Sequence, residues 1–170
     1  MSVYAETGQF MRAISVAQEA IALSQSEQEK QDLALRLKLY QNNYPYRDDG
    51  ELAQLAMVRL REGKFADAEP IARECLRLRE MQIPDNWRTF NARSMLGGSL
   101  LGQKKYAKAE PLLLSGYEGM KQREVNIPPQ GKVRLKETLQ RLAQLYDDTH
   151  RPEQAVEWRK KLAELEPAKE

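Results

Sequence analysis

From residue 50 onward, apolar side chains recur at three- and four-residue steps, and each run stops at a turn signal. Leu52, Leu55, Ala56 and Leu60 form one such stripe and predict a helix over 50–62. Gly63 follows where a helix needs a left-handed C-terminal residue. Ala68, Ile71, Ala72, Cys75 and Leu76 mark a second helix, about 66–81, with Pro70 expected in its first turn, where amides still lack partners. Ile83-Pro84-Asp85-Asn86 breaks the chain, and the pattern begins again. Helix 86–102 carries Leu96, Gly97 and Leu100; helix 107–123 carries Ala109, Leu112, Leu113, Gly116 and Tyr117. After Ile127-Pro128-Pro129 a third pair follows, 130–147 with Leu135, Leu139, Leu142, Ala143 and Tyr146, then 152–165 with Ala155, Trp158 and Leu162.

The first third is less regular. Residues 3–8 read as the last turn or two of a helix, 10–24 offers Ala13, Ile14, Ala17, Ala20 and Ile21 as a buried face, and 27–41 offers Leu33, Leu37 and Tyr40 with a second edge of Leu35 and Leu39. Asn42 to Gly50 is the strongest turn and linker signal in the chain. The expected fold is therefore all-α, with about eight helices arranged as hairpins.

The hairpins repeat. Gly8-Gln-Phe10-x-x-Ala13, Gly63-Lys-Phe65-x-x-Ala68, Lys104-Lys-Tyr106-x-x-Ala109 and His150-Arg-Pro152-x-x-Ala155 share one phrase, and two copies continue as Ala68-Glu69-Pro70 and Ala109-Glu110-Pro111. The aligned alanines are 55, 41 and 46 residues apart. Such units bury their apolar faces on one another. Ala56, Gly97 and Ala143 occupy one equivalent position, where the helices of a hairpin would cross closely. Helix 50–62 has the pattern of a first helix, although alternation from 27–41 calls for a second, so the repeat slips at the linker.

Composition narrows the function. Against 27 Lys and Arg stand 25 Asp and Glu, a balance of +2 that gives no electrostatic footprint for nucleic acid. No apolar run approaches the roughly 18 residues of a membrane span, and the start has neither the basic nor the apolar part of a signal peptide. The single cysteine, Cys75, excludes an internal disulfide framework and suits a reducing, cytoplasmic setting.

Leu96-Gly97-x-x-Leu100…Tyr106-x-x-Ala109…Gly116 resembles the tetratricopeptide repeat (TPR) signature, with Leu100 for a tyrosine and Gly116 for an alanine. Leu142-Ala143-x-x-Tyr146…Pro152-x-x-Ala155 is similar in the same frame, with Pro152 for the aromatic. The 41-residue spacing resembles the longer kinesin-light-chain type of repeat. The wording of 50–170 resembles the C-terminal arrays of certain bacterial serine/threonine protein kinases, whereas 4–47 resembles the closing repeat and terminal helix of another bacterial array. The resemblance implies a right-handed helical solenoid with hairpins at 50–82, 86–123 and 130–166. Residues 1–49 would form a partial hairpin and a capping helix, with the seam of two arrays, natural or engineered, near 42–50.

The resemblance further implies that the first helix of each hairpin lines a concave, peptide-holding surface. It maps that surface onto Met57, Leu60 and Arg61, then Arg88, Asn91, Ser94, Gly98 and Leu101, then Glu137, Gln140, Gln144 and Asp147. Asn and Gln side chains can bond a peptide backbone, and Arg can clamp a carboxylate. The family's Lys/Asn carboxylate clamp is not reproduced, because Ala53 and Met57 stand at its places.

No catalytic or metal site is expected. The sequence has no Gly-rich phosphate loop and neither His-Arg-Asp nor Asp-Phe-Gly. His150 sits at a hairpin turn, and Asp147-Asp148 beside it lack the further ligands of a metal site. Cys75 takes a small-residue core position without a partner imidazole. Trp87 reads equally as a ligand anchor or as packing, Trp158 reads as core, and Arg159-Lys160-Lys161 suits the C-terminal end of a helix. The expected function is a non-catalytic, cofactor-free scaffold whose partner is a protein or peptide in the groove. The competing expectation is a homo-oligomer formed through the N-terminal half-repeat, motivated by poor cover for Ile14, Ala17 and Ile21; nucleic acid and membrane are not expected partners.

Overall fold

The structure, a computed structural model, describes residues 9–41 and 49–165. Among these residues every regular element is helical, with eight α-helices and two short 3₁₀ turns. The chain divides into two compact units, 1–48 and 49–170.

In the first unit α1 (Phe10–Leu23) packs against α2 (Glu27–Gln41). Ala13, Ala17 and Tyr40 are fully buried, with Phe10, Ile14 and Leu37 around them. Ala17, expected to be poorly covered, is thus core, while Ile14 and Ile21 are half-buried. The helical turn expected at 3–8, the body of the 42–50 linker and the side chains of Leu35 and Leu39 lie outside the described residues.

The second unit comprises α3 (Asp49–Arg61), α4 (Phe65–Gln82), α5 (Trp87–Gly102), α6 (Tyr106–Gln122), α7 (Val133–Asp148) and α8 (Pro152–Glu164). Each pair α3/α4, α5/α6 and α7/α8 forms a hairpin, and α5 also packs on α3, α4 and α7. The expected α4 face of Ala68, Ile71, Ala72, Cys75 and Leu76 is buried. Leu113, Leu135, Leu139 and Leu142 are fully buried as well, each such side chain contributing about 2 kcal/mol of transfer free energy. Trp158 is core: it meets Tyr117 edge-on at 5.2 Å and stacks on Tyr146 at 6.5 Å.

Three hairpin turns are built alike. Gly63, Lys104 and His150 have φ of +71°, +60° and +56°, and the next amide closes a six-residue ring: Lys64 to Arg59, Lys105 to Leu100, Arg151 to Tyr146. This is the Schellman ending of a helix. Only the first copy uses the residue best suited to a left-handed backbone. His150→Gly is therefore expected to raise the unfolding free energy by about 0.5–1 kcal/mol, measured by urea denaturation.

Two sequence expectations need correction. Pro70, expected in the first turn, lies in the second turn of α4, after helical bonding has begun at Ala68, and Pro111 lies likewise in α6 after Ala109. Each removes an interior amide and leaves a carbonyl one turn back without its helical donor. The helix expected from 130 starts at Val133, because Pro129–Gly131 forms a 3₁₀ turn instead.

The small residues mark close crossings. A Cβ added at Gly97 would lie 2.8 Å from the Leu113 side chain, which accounts for a glycine inside α5. The repeated Ala-Glu-Pro phrase has a second role. Glu69 accepts hydrogen bonds from Gln103 Nε2 at 2.9 Å and Lys105 Nζ at 3.0 Å, both in the turn of the next hairpin. Glu110 accepts from Tyr146 Oη and from two nitrogens of Arg151, all at 2.9 Å. Lys105 and Arg151 each follow the left-handed residue of their turn, so the repeated glutamate braces one hairpin to the next.

Candidate functional site

The first helices, α3, α5 and α7, bring corresponding ends together. Toward their C-terminal ends a cleft of about 300 Å³ is lined by Met57, Leu60 and Arg61 of α3, by Gly98 and Leu101 of α5, and by Glu137, Gln140, Arg141 and Gln144 of α7. Toward their N-terminal ends a second cleft of about 260 Å³ is lined by Gln54 and Met57, by Trp87, Arg88 and Asn91, and by Gln130 and Arg134. Met57 belongs to both. Residues more than 80 positions apart in sequence thus share one wall, because equivalent helices of successive hairpins lie side by side.

Most of the residues mapped to the concave surface fall here. Arg61, Arg88, Gln140 and Gln144 are exposed at the rim; Leu101 is buried at the floor of the first cleft. Gly98 is covered rather than open, since an added Cβ would lie 2.8 Å from Arg141 Nε. Ser94 does not line either cleft. It is fully buried, its hydroxyl 2.7 Å from Thr138 Oγ1 and accepting from Arg141 Nη1 at 3.0 Å. Its polar capacity joins α5 to α7 and is not offered to a ligand. Asp147 is paired with Arg159, away from both clefts.

Asn91 is only 4% exposed, and its Oδ1 has no hydrogen-bond partner. A buried acceptor left without a donor costs about 1–3 kcal/mol, so such an atom at a cleft wall calls for an explanation. Trp87 has the packing role that its sequence position allowed. Half-buried, it packs on the Met120, Ile127 and Leu135 cluster while bordering the second cleft.

The sequence reading missed Arg79, Arg134 and Arg141. Arg134 and Arg141 stand seven residues apart on α7 with Glu137 between them, a helix-face spacing visible in the sequence. Glu137 meets Arg134 at 2.9 Å, Arg61 at 3.6 Å and Arg141 at 3.8 Å. Burial pulls the Arg141 guanidinium below its ordinary range, and Glu137 partly restores it. Arg79 lies in α4, almost fully buried, and pairs with Asp49 at 2.9 Å. Five arginines line the two clefts, against Glu137 within them and Asp49 behind them, which leaves three positive charges uncompensated.

Elsewhere the reactive groups are occupied. Cys75 is buried, its thiol donating to the Asp49 carbonyl at 3.3 Å, and burial pushes it up to about 12. Among the described residues no cluster of three or more His, Cys, Asp and Glu could hold a metal ion, and no helix is long and apolar enough to cross a membrane.

These observations define the class: an all-helical, repeat-like chain with a basic, two-part groove formed by alternate helices. No family model, curated protein or solved structure matches the chain.

Proposed function

We propose that residues 49–170 form a TPR-like solenoid, a non-catalytic scaffold whose groove holds an extended peptide segment of another protein. The observation that carries this reading is the convergence of Met57, Leu60 and Arg61, Leu101, and Gln140 and Gln144, from three successive hairpins, on one cleft. An apolar floor with a rim of amide and guanidinium groups suits a peptide, which offers side chains to bury and backbone groups to bond. The two clefts meet at Met57, so an extended segment can cross both.

Peptide-array binding tests the reading. Met57→Tyr, whose ring would fill the junction of the clefts, is expected to weaken selected peptides roughly tenfold, equivalent to about 1.4 kcal/mol. No binding across the array, or identical affinity for the variant, would contradict it.

A second reading is self-association through the N-terminal unit. It is favoured by Met11 and Leu23 of α1, which are 79% and 74% exposed. Light scattering at tens of micromolar separates the two: a dimer that Met11→Ser and Leu23→Ser dissolve supports self-association, and a strict monomer removes it.

A further inference from the structure

We propose that the third hairpin, α7 and α8, is a hinged jaw of the groove, and that an ionic latch between Arg61 of α3 and Glu137 of α7 holds it closed. Its use as a gate rests on the peptide-groove reading; the motion itself is a property of the free chain.

The latch spans the groove. Arg61 Nη2 lies 3.6 Å from Glu137 Oε1, so the first and third hairpins meet across α5, whose Gly98 and Leu101 line the same cleft. The Arg61 side chain is 66% exposed and that of Glu137 22%. At this length and exposure the attraction is weak and is screened by salt. Arg134 holds the same carboxylate at 2.9 Å, so Glu137 keeps its place on α7 when Arg61 lets go. Such a pair suits a catch that opens better than a permanent brace.

Closure also leaves a bond unmade. Asn91, Ser94 and Gly98 follow at three- and four-residue steps along one face of α5. Ser94 meets Thr138 and Arg141, and a Cβ at Gly98 would meet Arg141, so this is the face that α7 covers. Asn91 lies one turn nearer the start of α5 and shares the second cleft with Gln130, Gly131 and Arg134. Its buried Oδ1 has no partner in the closed arrangement, and withdrawal of α7 would admit water to it. The latch favours closure and the orphaned acceptor favours opening, which gives the two states comparable free energies.

The joint between the second and third hairpins permits the motion. Along the covered face of α5 the contact is polar, with Ser94 Oγ 2.7 Å from Thr138 Oγ1 and 3.0 Å from Arg141 Nη1. The apolar cluster of Met120, Ile127 and Leu135 sits where the chain enters the third hairpin through two 3₁₀ turns, and gives the jaw a pivot. Beside that pivot lies a cavity of about 210 Å³, lined by Tyr117 and Lys121 of α6 and by Lys161, Glu164 and Leu165 at the end of α8. The end of α8 is therefore not wedged against α6.

The test is double electron–electron resonance on the full chain, with nitroxide labels at Ala66→Cys in α4 and Val156→Cys in α8, both exposed positions; Cys75 is fully buried and stays unlabelled. Two distance populations are expected in this doubly labelled parent, the shorter one dominant. Arg61→Gln should shift the ratio toward the longer one roughly two- to fivefold, the range of an exposed ion pair. Arg61→Glu, which faces Glu137 with a like charge, should shift it further, and Arg61→Lys should keep the parent ratio. Salt at about 1 M should open the parent and leave Arg61→Gln unchanged. Asn91→Leu, which replaces the unpaired acceptor at similar volume, should favour the shorter distance. One unchanging distance in the parent, in Arg61→Glu and at high salt overturns the jaw. Opening in Arg61→Lys equal to that in Arg61→Glu overturns the ionic latch. The stated shifts, with failure of every library peptide to bind, would leave the jaw standing and remove the peptide reading.

Discussion

Gly116→Leu is expected to cost about 3 kcal/mol or more and to lower the melting temperature by roughly 10 °C. A Cβ at this position would lie 2.9 Å from the Phe90 carbonyl oxygen and 3.0 Å from the Ser94 amide nitrogen. Both are backbone atoms of α5, so no change of rotamer relieves the contact. The helices would have to part, opening the packing around Leu113 and Met95, which are buried near the same crossing. Cys75 stands 41 residues earlier in the same register, fully buried, which shows that the neighbouring hairpin leaves room for a side chain there. Gly116→Ala should therefore gain nothing from its better helix propensity, a benefit of about 1 kcal/mol at an unhindered site. Thermal melts followed by circular dichroism measure both variants; an unchanged or higher melting temperature for Gly116→Leu would refute the close crossing.

Removing the two inter-hairpin braces together, Glu69→Ala with Glu110→Ala, is expected to cost about 2–3 kcal/mol, since each pair of charge-assisted bonds is only partly shielded from water. The sites are in different hairpin contacts, so their effects should add. The same braces set an acid limit. Burial alone would raise the Glu69 carboxyl, but hydrogen bonds from Arg73, Lys105 and Gln103 outweigh it and hold the group down at about 2. Glu110 is lowered chiefly by Arg151, with Tyr146 adding to the effect against a smaller opposing contribution from burial. A carboxyl lowered in the folded state contributes stability that is complete above its unfolded value and disappears as pH falls through its folded value. For Glu69 that window runs from 4.5 down to about 2. Stability should fall across this range in the parent chain and fall distinctly less in the double variant. Parallel pH profiles of urea midpoints would contradict this role of the two carboxylates.

Much of this architecture can be read from side-chain periodicity. The i, i+3, i+4 stripes set the helices of the second unit to within a few residues, because each element buries one continuous face. The turns at Gly63, Lys104 and His150 follow from alignment of the repeats, although only glycine announces a left-handed backbone by its chemistry. The pattern predicts a helix from 130, but α7 starts at Val133 because Pro129–Gly131 forms a 3₁₀ turn.

The groove was legible only in part. The resemblance implies which residues of α3, α5 and α7 border a groove, and most of them do line the clefts. Spacing does not reveal depth. Ser94 has the right angular position but is sealed beneath Arg141, a side chain from the following hairpin. Nor does it reveal charge assembled from distant segments. Chain-wide balance conceals the fact that Arg61, Arg79, Arg88, Arg134 and Arg141 converge while their nearest acidic counterparts are few. The glutamates of Ala-Glu-Pro look like solvated helix residues in sequence, and only the stacked hairpins show what they hold.

The most direct test of the peptide groove is amide chemical-shift mapping of the isotope-labelled chain, titrated with the tightest-binding peptide selected from a random library. Large shifts confined to the groove faces of α3, α5 and α7, around Met57 and Arg61, Arg88 and Asn91, and Gln140 and Gln144, are the predicted result. Shifts centred on α4, α6 and α8, or on the N-terminal unit, would contradict it.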